Sequence, residues 1–572
     1  MTNAAPHADP AQDEVTDVLV IGSGTGLAAA LSAREQGLSV TVIEKTALVG
    51  GSTARSGGAF WIPANEILRA AGARDSAERA LRYVRATVRD TAPDGTLRSY
   101  VTHGAATVAM LQRTTRMRFS WARGYSDYHP ELPGGSAMGR SCECRPFDTA
   151  KLGAHRATLR PGVMELPIPL PVTGADYKWL NLATRVPLRG MTVAVRRTLQ
   201  GIGGLLLGRR YAAGGVALAA GLYDGALRAG VRIHRETAMT DLVVEGDRVV
   251  GANVVHAGRT RTIHARRGVV IAAGGFDHDL ARRRRDQLAS LQGWSLGAEG
   301  NTGDGIAAAE RAGATTRSMD QAWWFPAIAP VGGGTPTVML AERSLPGSFM
   351  VDASGRRFVN EATDYMSFGQ RVQERERAGD PVGTMWLVFD RAYRRSYLLG
   401  GSLLPGMPLP RDWYASGVAV RADSWRSLAA RMGVPVDAFE HTATSFCDAA
   451  ARGIDDRFHR GQSAYDRYYG DPTVSPNPTL RPLDERHLFA LRVVLSDLGT
   501  CGGISTDARA RALRADGSPL DGLYAIGNAA GNAFGDRYPG AGATIGQGLV
   551  FGHVAALECA GIDTAEARRT RA

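Results

Sequence analysis

Apolar and polar positions change period several times along the chain, and each change predicts an element. The first clear signal is "DVLVIGSGTG", residues 17–26, where an unbroken apolar run from Val18 to Ile21 ends in spaced glycines. That pattern is a buried strand feeding a tight turn. "LAAALSAREQG" then has the small and apolar positions of a helix, closed by Gly37, and "LSVTVIE" is a second strand ending at Glu44. Residues 236–275 alternate apolar and polar side chains as strands do, up to Ala273, Gly274 and Gly275. Near the other end, "DGLYAIGN" carries a further strand into Gly527 and Asn528, and "PGAGATIGQGLVFG" is a turn running into an apolar helix. Strand, helix and strand in this order predict an α/β fold with a Rossmann-like unit.

Composition narrows the classes. A chain of 572 residues exceeds one compact core and implies two or more lobes with a cleft between them. Hydrophobic content of 44% and charged content of 22% are those of a soluble globular protein. The net charge of +11 comes from arginine, since Lys45, Lys151 and Lys178 are the only lysines. Scattered arginine reads as solvated surface. The run Arg282 to Arg285 has acidic neighbours and reads as a solvated helix face, not a nucleic-acid site. A non-enzymatic basic surface-binding protein is kept as an alternative; it predicts a colourless preparation. Five cysteines, with Cys142 and Cys144 flanking Glu143, form no C-x-x-C pair, so structural thiols in a reducing cytoplasm and no metal are expected. The polar, acidic start, residues 1–14, reads as a loose tail, and no run of 18 apolar residues predicts a membrane span. A cytoplasmic chain is expected.

The glycine turn carries the first chemistry. Gly22, Ser23, Gly24 and Gly26 open a helix whose N-terminal amides suit a pyrophosphate, and Glu44, at the end of the next strand, suits ribose hydroxyls. The turn departs from G-x-G-x-x-G, because Leu27 holds the third glycine's place and Gly26 comes one residue early. "EKTALVGGSTARSGGAFWIPAN" follows at once, with Gly51, Ser52, Ser56, Gly57 and Gly58. A nicotinamide enzyme does not need this second loop.

The arrangement resembles the flavoproteins of the fumarate reductase and 3-oxosteroid dehydrogenase superfamily, whose glycine-serine loop wraps FAD. Four stretches narrow the resemblance to the 3-oxosteroid Δ1-dehydrogenases: "RGYSDYHPELPGGSAMGR" with Tyr128, "ERSLPGSFMVDASGRRFVNEATDYMSF" with Tyr365, "SDLGTCGG", and "GDRYPGAGATIGQG" with Tyr538 and Gly542. The resemblance implies 1,2-dehydrogenation of a 3-ketosteroid: flavin N5 accepts the C1 hydride and Tyr365 removes the C2 proton. It makes Tyr128 the partner of that base, and Tyr538 with the Gly542 N–H the clamp on the 3-keto oxygen. It also sets Ala273, Gly274, Asn528, Thr544 and Ile545 against the cofactor, with an external, quinone-like electron acceptor. The implied FAD-binding domain is discontinuous, residues 15–317 and 488–572, with an α+β substrate domain inserted at 318–487. There Trp323, Trp324 and Phe325 are candidate walls. Fumarate reduction is disfavoured: Arg537 matches an arginine of those enzymes, but Leu498, Gly499 and Thr500 stand where a histidine is needed. Dehydrogenation at another A-ring bond, C4 to C5, stays open. Residues 150–210 exceed the family plan; "LRGMTVAVRRTLQGIGGLLLGRR" suits either a lipid surface, through 190–210, or an ordinary helical hairpin.

Overall fold

The computed structural model of the protein describes residues 13–163, 170–288 and 293–564. Most of the expected tail and part of the 150–210 segment lie outside the described residues. The fold is α/β. Its main sheet places Glu14–Ile21 between Val40–Ile43 and Arg259–Ile271, all parallel, with Val20 opposite both Val42 and Val270. Arg232–His234 extends one side and Pro519–Ala525 the other, Tyr524 pairing with Val270. Val18, Leu19, Val20 and Val42 are buried, as an apolar run covered on both faces requires. The strand Arg259–Ile271 also pairs antiparallel, through its first half, with Arg248–His256, which in turn pairs with Thr237–Glu245.

Helix Gly26–Glu35 covers this sheet, and the last helix, Ala543–Cys559, lies on that first one. The shortened glycine turn has a physical explanation. A Cβ on Gly26 would sit 2.9 Å from both the Ala272 Cβ and the Val20 Cγ1, so Gly26 itself performs the close helix-to-sheet packing. Leu27 is fully buried in the core instead.

A second sheet is antiparallel. Its order is Thr337–Val338, Ala322–Ile328, Leu488–Thr500, Met385–Asp390, Ser348–Val351, with Ala419–Ala422 also on Leu488–Thr500. The boundary expected at 488 thus falls at the start of a strand that pairs within this sheet. Helix Tyr365–Arg377 packs on Ala322–Ile328, with Gly369 making room for the Trp324 side chain. A three-stranded sheet, Ala59–Trp61, Ser141–Cys144 and Phe119–Trp121, completes the cavity wall.

One sequence reading needs correction. Arg282 and Arg283, read as a solvated face, are buried: Arg282 pairs with Glu310, and Arg283 lies 2.8 Å from Asp497. Their carboxylate partners are too remote in sequence for a local charge pattern to reveal. Tyr125 is buried and lines the central cavity. His553 packs against the first helix: Ser32 Oγ lies 2.7 Å from its Nδ1, and burial pushes its pKa down to about 4. Cys142 and Cys144 are buried in their strand with thiols pushed up to about 12 by burial.

Candidate active site

One cavity of about 600 Å³ runs from the glycine turn of the first strand to the antiparallel sheet. Every sequence-nominated site residue lines it except Gly26 and the candidate wall Trp324: Gly22, Ser23, Gly24, Glu44, Gly51, Ser52, Ser56, Gly57, Gly58, Ala273, Gly274, Asn528, Thr544 and Ile545 at one end, and Tyr128, Tyr365, Tyr538 and Gly542 at the other.

The cofactor end is a backbone cradle. Gly22 has φ +110 and Gly58 φ +74, and a Cβ on either would overlap the main chain of Ala272 or Gly214. Glu44 is held ready at the lip: Ser23 Oγ donates to its Oε2 (2.5 Å) and Thr46 Oγ1 to its Oε1 (2.8 Å). Ser52 is more constrained. Its Oγ accepts from Ala298 N (2.9 Å) and from Asn301 Nδ2 (2.8 Å), and Asn301 Nδ2 also donates to Asp277 Oδ2 (2.5 Å). With both lone pairs filled, the Ser52 hydroxyl can only donate, and it faces the cavity. A fixed donor, bare backbone amides at a helix start and a diol-binding carboxylate are the donor set FAD needs, so these residues fit that cofactor. Asn301 and Asp277 escaped the sequence reading because they reach Ser52 only through tertiary structure.

At the other end three phenols converge from three segments. Tyr128 comes from the loop before Ser141–Cys144, Tyr365 is the first residue of its helix, and Tyr538 precedes the last helix. Ring centroids lie 5.3 to 5.5 Å apart in all three pairs. Phe325 packs on Tyr365 at 4.8 Å and Trp323 on Tyr538 at 4.9 Å, while Trp324, one residue along the strand, faces away from the cavity. Trp323 Nε1 also donates to Asn528 Oδ1 (3.0 Å), tying the two ends together.

Each phenol stands in a different state. Tyr538 oxygen accepts from Thr544 Oγ1 at 3.0 Å and lies 3.4 Å from Thr544 N, which leaves its own proton for another acceptor. Tyr128 hydroxyl is buried with no hydrogen-bond partner among the described residues, a group that costs about 1–3 kcal/mol unless something completes it. Tyr365 is pushed well above the ordinary tyrosine value, first by burial and then by Tyr538; the nearby Tyr128 hydroxyl opposes that rise without forming a full hydrogen bond. Gly542, at φ +90, caps the last helix, and any Cβ there would overlap the Ala59 carbonyl. Its position is fixed by Trp61 N donating to its carbonyl (3.1 Å) and by Ser141 Oγ donating to Ala541 O (2.7 Å). Tyr128 is tied to the same turn, its N–H donating to Pro539 O (3.1 Å).

A glycine cradle for a dinucleotide opening onto a phenol-lined apolar slot defines a flavoprotein dehydrogenase site. The FAD binding domain family matches residues 17–545. A 3-oxosteroid 1-dehydrogenase of Mycolicibacterium smegmatis is 43% identical over 95% of this chain and 97% of its own, and one of Mycobacterium tuberculosis is 42% identical over 95% and 98%. The crystal structure of the 3-ketosteroid Δ1-dehydrogenase of Sterolibacterium denitrificans, in complex with 1,4-androstadiene-3,17-dione, superposes with a TM-score of 0.90 at 34% identity, covering 96% of this chain and all of that one. The chain belongs to the FAD-binding 3-oxosteroid 1-dehydrogenase family.

Proposed function

We propose that this protein introduces the 1,2 double bond into 3-ketosteroids, converting a 3-oxo-4-ene into a 3-oxo-1,4-diene. The convergence of Tyr128, Tyr365 and Tyr538 at the apolar end of a cofactor cavity supports this reading best. When bound, FAD supplies the acceptor for the hydride that leaves C1. The chain's own residues do the rest. Tyr538, held as a donor by Thr544, and the Gly542 N–H grip the C3 oxygen, acidifying the C2 protons by stabilising the enolate. Tyr365, as phenolate, takes one of those protons, and the electron pair of the broken C2–H bond becomes the second bond between C1 and C2 as the hydride leaves C1. Tyr128 completes its open hydrogen bond by donating to that phenolate, which lowers the cost of forming it. Anaerobic mixing with a 4-ene-3-ketosteroid, a 5α-3-ketosteroid and succinate tests the reading. The first is expected to bleach the yellow protein and yield the 1,4-diene. Bleaching by succinate alone, or a 4-ene as the sole product from the saturated steroid, would overturn it.

A peripheral membrane contact at the inner face of the cell membrane, with electrons passing to a quinone-like acceptor, belongs to the same proposal. No helix among the described residues is long and apolar enough to cross a membrane. Helix Pro187–Leu206 instead exposes Leu188, Met191, Val195, Leu199, Ile202 and Leu206, with Leu207 beyond its end. These positions recur every three or four residues and form one apolar stripe. Arg189, Arg196, Arg209 and Arg210 flank it, as an anionic lipid surface requires. Substituting Leu188, Leu199 and Leu206 with serine is expected to abolish co-sedimentation with anionic vesicles while turnover of dissolved steroid stays within about two-fold, since the stripe lies outside the cavity. Unchanged co-sedimentation removes the contact.

A further inference from the structure

Arg160 lies outside the glycine motifs, yet the fold brings it to them. Val49 N donates to Thr158 O (2.7 Å) and Arg160 N to Val49 O (2.9 Å), a short parallel bridge that sews this segment to the cofactor loop. The Arg160 Cβ is 3.8 Å from where a Cβ on Gly50 would stand, and the Gly50 carbonyl is 3.7 Å from the same point on Gly24. The side chain is 6% exposed and lines the cofactor end of the cavity.

Its donors are not used up. Nη2 donates to Thr46 Oγ1 (2.8 Å), but Nε is buried with no acceptor among the described residues. Arg55 lines the same wall, its Nε committed to Leu296 O (2.8 Å). Burial, and after it the Arg160 charge, push the Arg55 guanidinium below its ordinary value, with Glu299 opposing. A buried cation with an empty donor, beside a half-buried second one, is unfavourable until an anion completes it. The glycine turn beside them is where a dinucleotide's diphosphate, with its two negative charges, meets a helix start.

We infer that Arg160, seconded by Arg55, binds the diphosphate in the ADP half of FAD, so that residues 158–160 act as a clamp on the cofactor. The inference rests on FAD occupying the cavity and not on the identity of the steroid.

The test is FAD titration of apoprotein from the full chain, read by flavin fluorescence, with ADP as competitor. Arg160→Gln is expected to weaken FAD and ADP by a similar factor of about 10 to 100, the size of one charge-assisted hydrogen bond. The KM for steroid in FAD-saturated enzyme should stay unchanged. Arg160→Lys keeps the charge without the planar donor set and should fall between; it decides the matter alone if the glutamine variant does not fold, three-fold weakening of both ligands supporting the clamp. Wild-type affinity for both ligands overturns the inference, and so does a loss of FAD affinity with ADP binding untouched.

Discussion

Tyr365→Phe is expected to lower kcat/KM by roughly 10³-fold, within the span that a positioned general base contributes. The variant should remain yellow and bind steroid, because the lost hydroxyl holds neither the cradle nor the clamp. The pH profile separates this from a packing defect. Burial raises the Tyr365 pKa above its ordinary value, so only a small share of the protein carries the competent phenolate at neutral pH. That share grows about ten-fold per pH unit as long as the pH stays below the pKa. Wild-type activity should therefore climb between about pH 7 and 9, while the residual rate of the phenylalanine variant stays level. A level wild-type profile over that interval would remove Tyr365 as the base.

Tyr538→Phe is expected to be the second severe change. One preorganised donor aimed at a developing oxyanion is worth on the order of 3 kcal/mol, so kcat should fall by about 10²-fold. KM should move far less, because the ketone oxygen acquires most of its charge only on the way to the enolate. Steady-state kinetics with a fixed acceptor would show the split. An equal loss in binding and in turnover would make Tyr538 a wall of the slot and not a donor. Gly542 offers no such graded test, since any side chain there meets the Ala59 carbonyl.

Much of the main sheet was legible because its signals are local. Val18 to Ile21 and Val40 to Ile43 are continuous apolar runs, and the glycines between them mark the turn where the main chain must approach a ligand. The three tyrosines were legible only through their flanking motifs; nothing in the spacing of Tyr128, Tyr365 and Tyr538 brings them within 5.5 Å of one another. Groups that act through side-chain networks were not legible. Asn301 reaches Ser52 across 249 residues, and Arg283 meets Asp497 on the other lobe's strand. A run of four arginines looks the same in sequence whether it faces water or a buried carboxylate, and tertiary pairing decided the matter.

The main sheet is assembled from both ends of the chain: its last parallel strand, Pro519–Ala525, and the helix that covers its first helix, Ala543–Cys559, leave the ribosome after nearly everything else. Until they arrive, half of Arg259–Ile271 is an open edge and the apolar back of Gly26–Glu35 is bare, surfaces that pair readily with other nascent chains. Premature stop codons even late in the gene should thus yield insoluble, colourless product in place of a shortened enzyme.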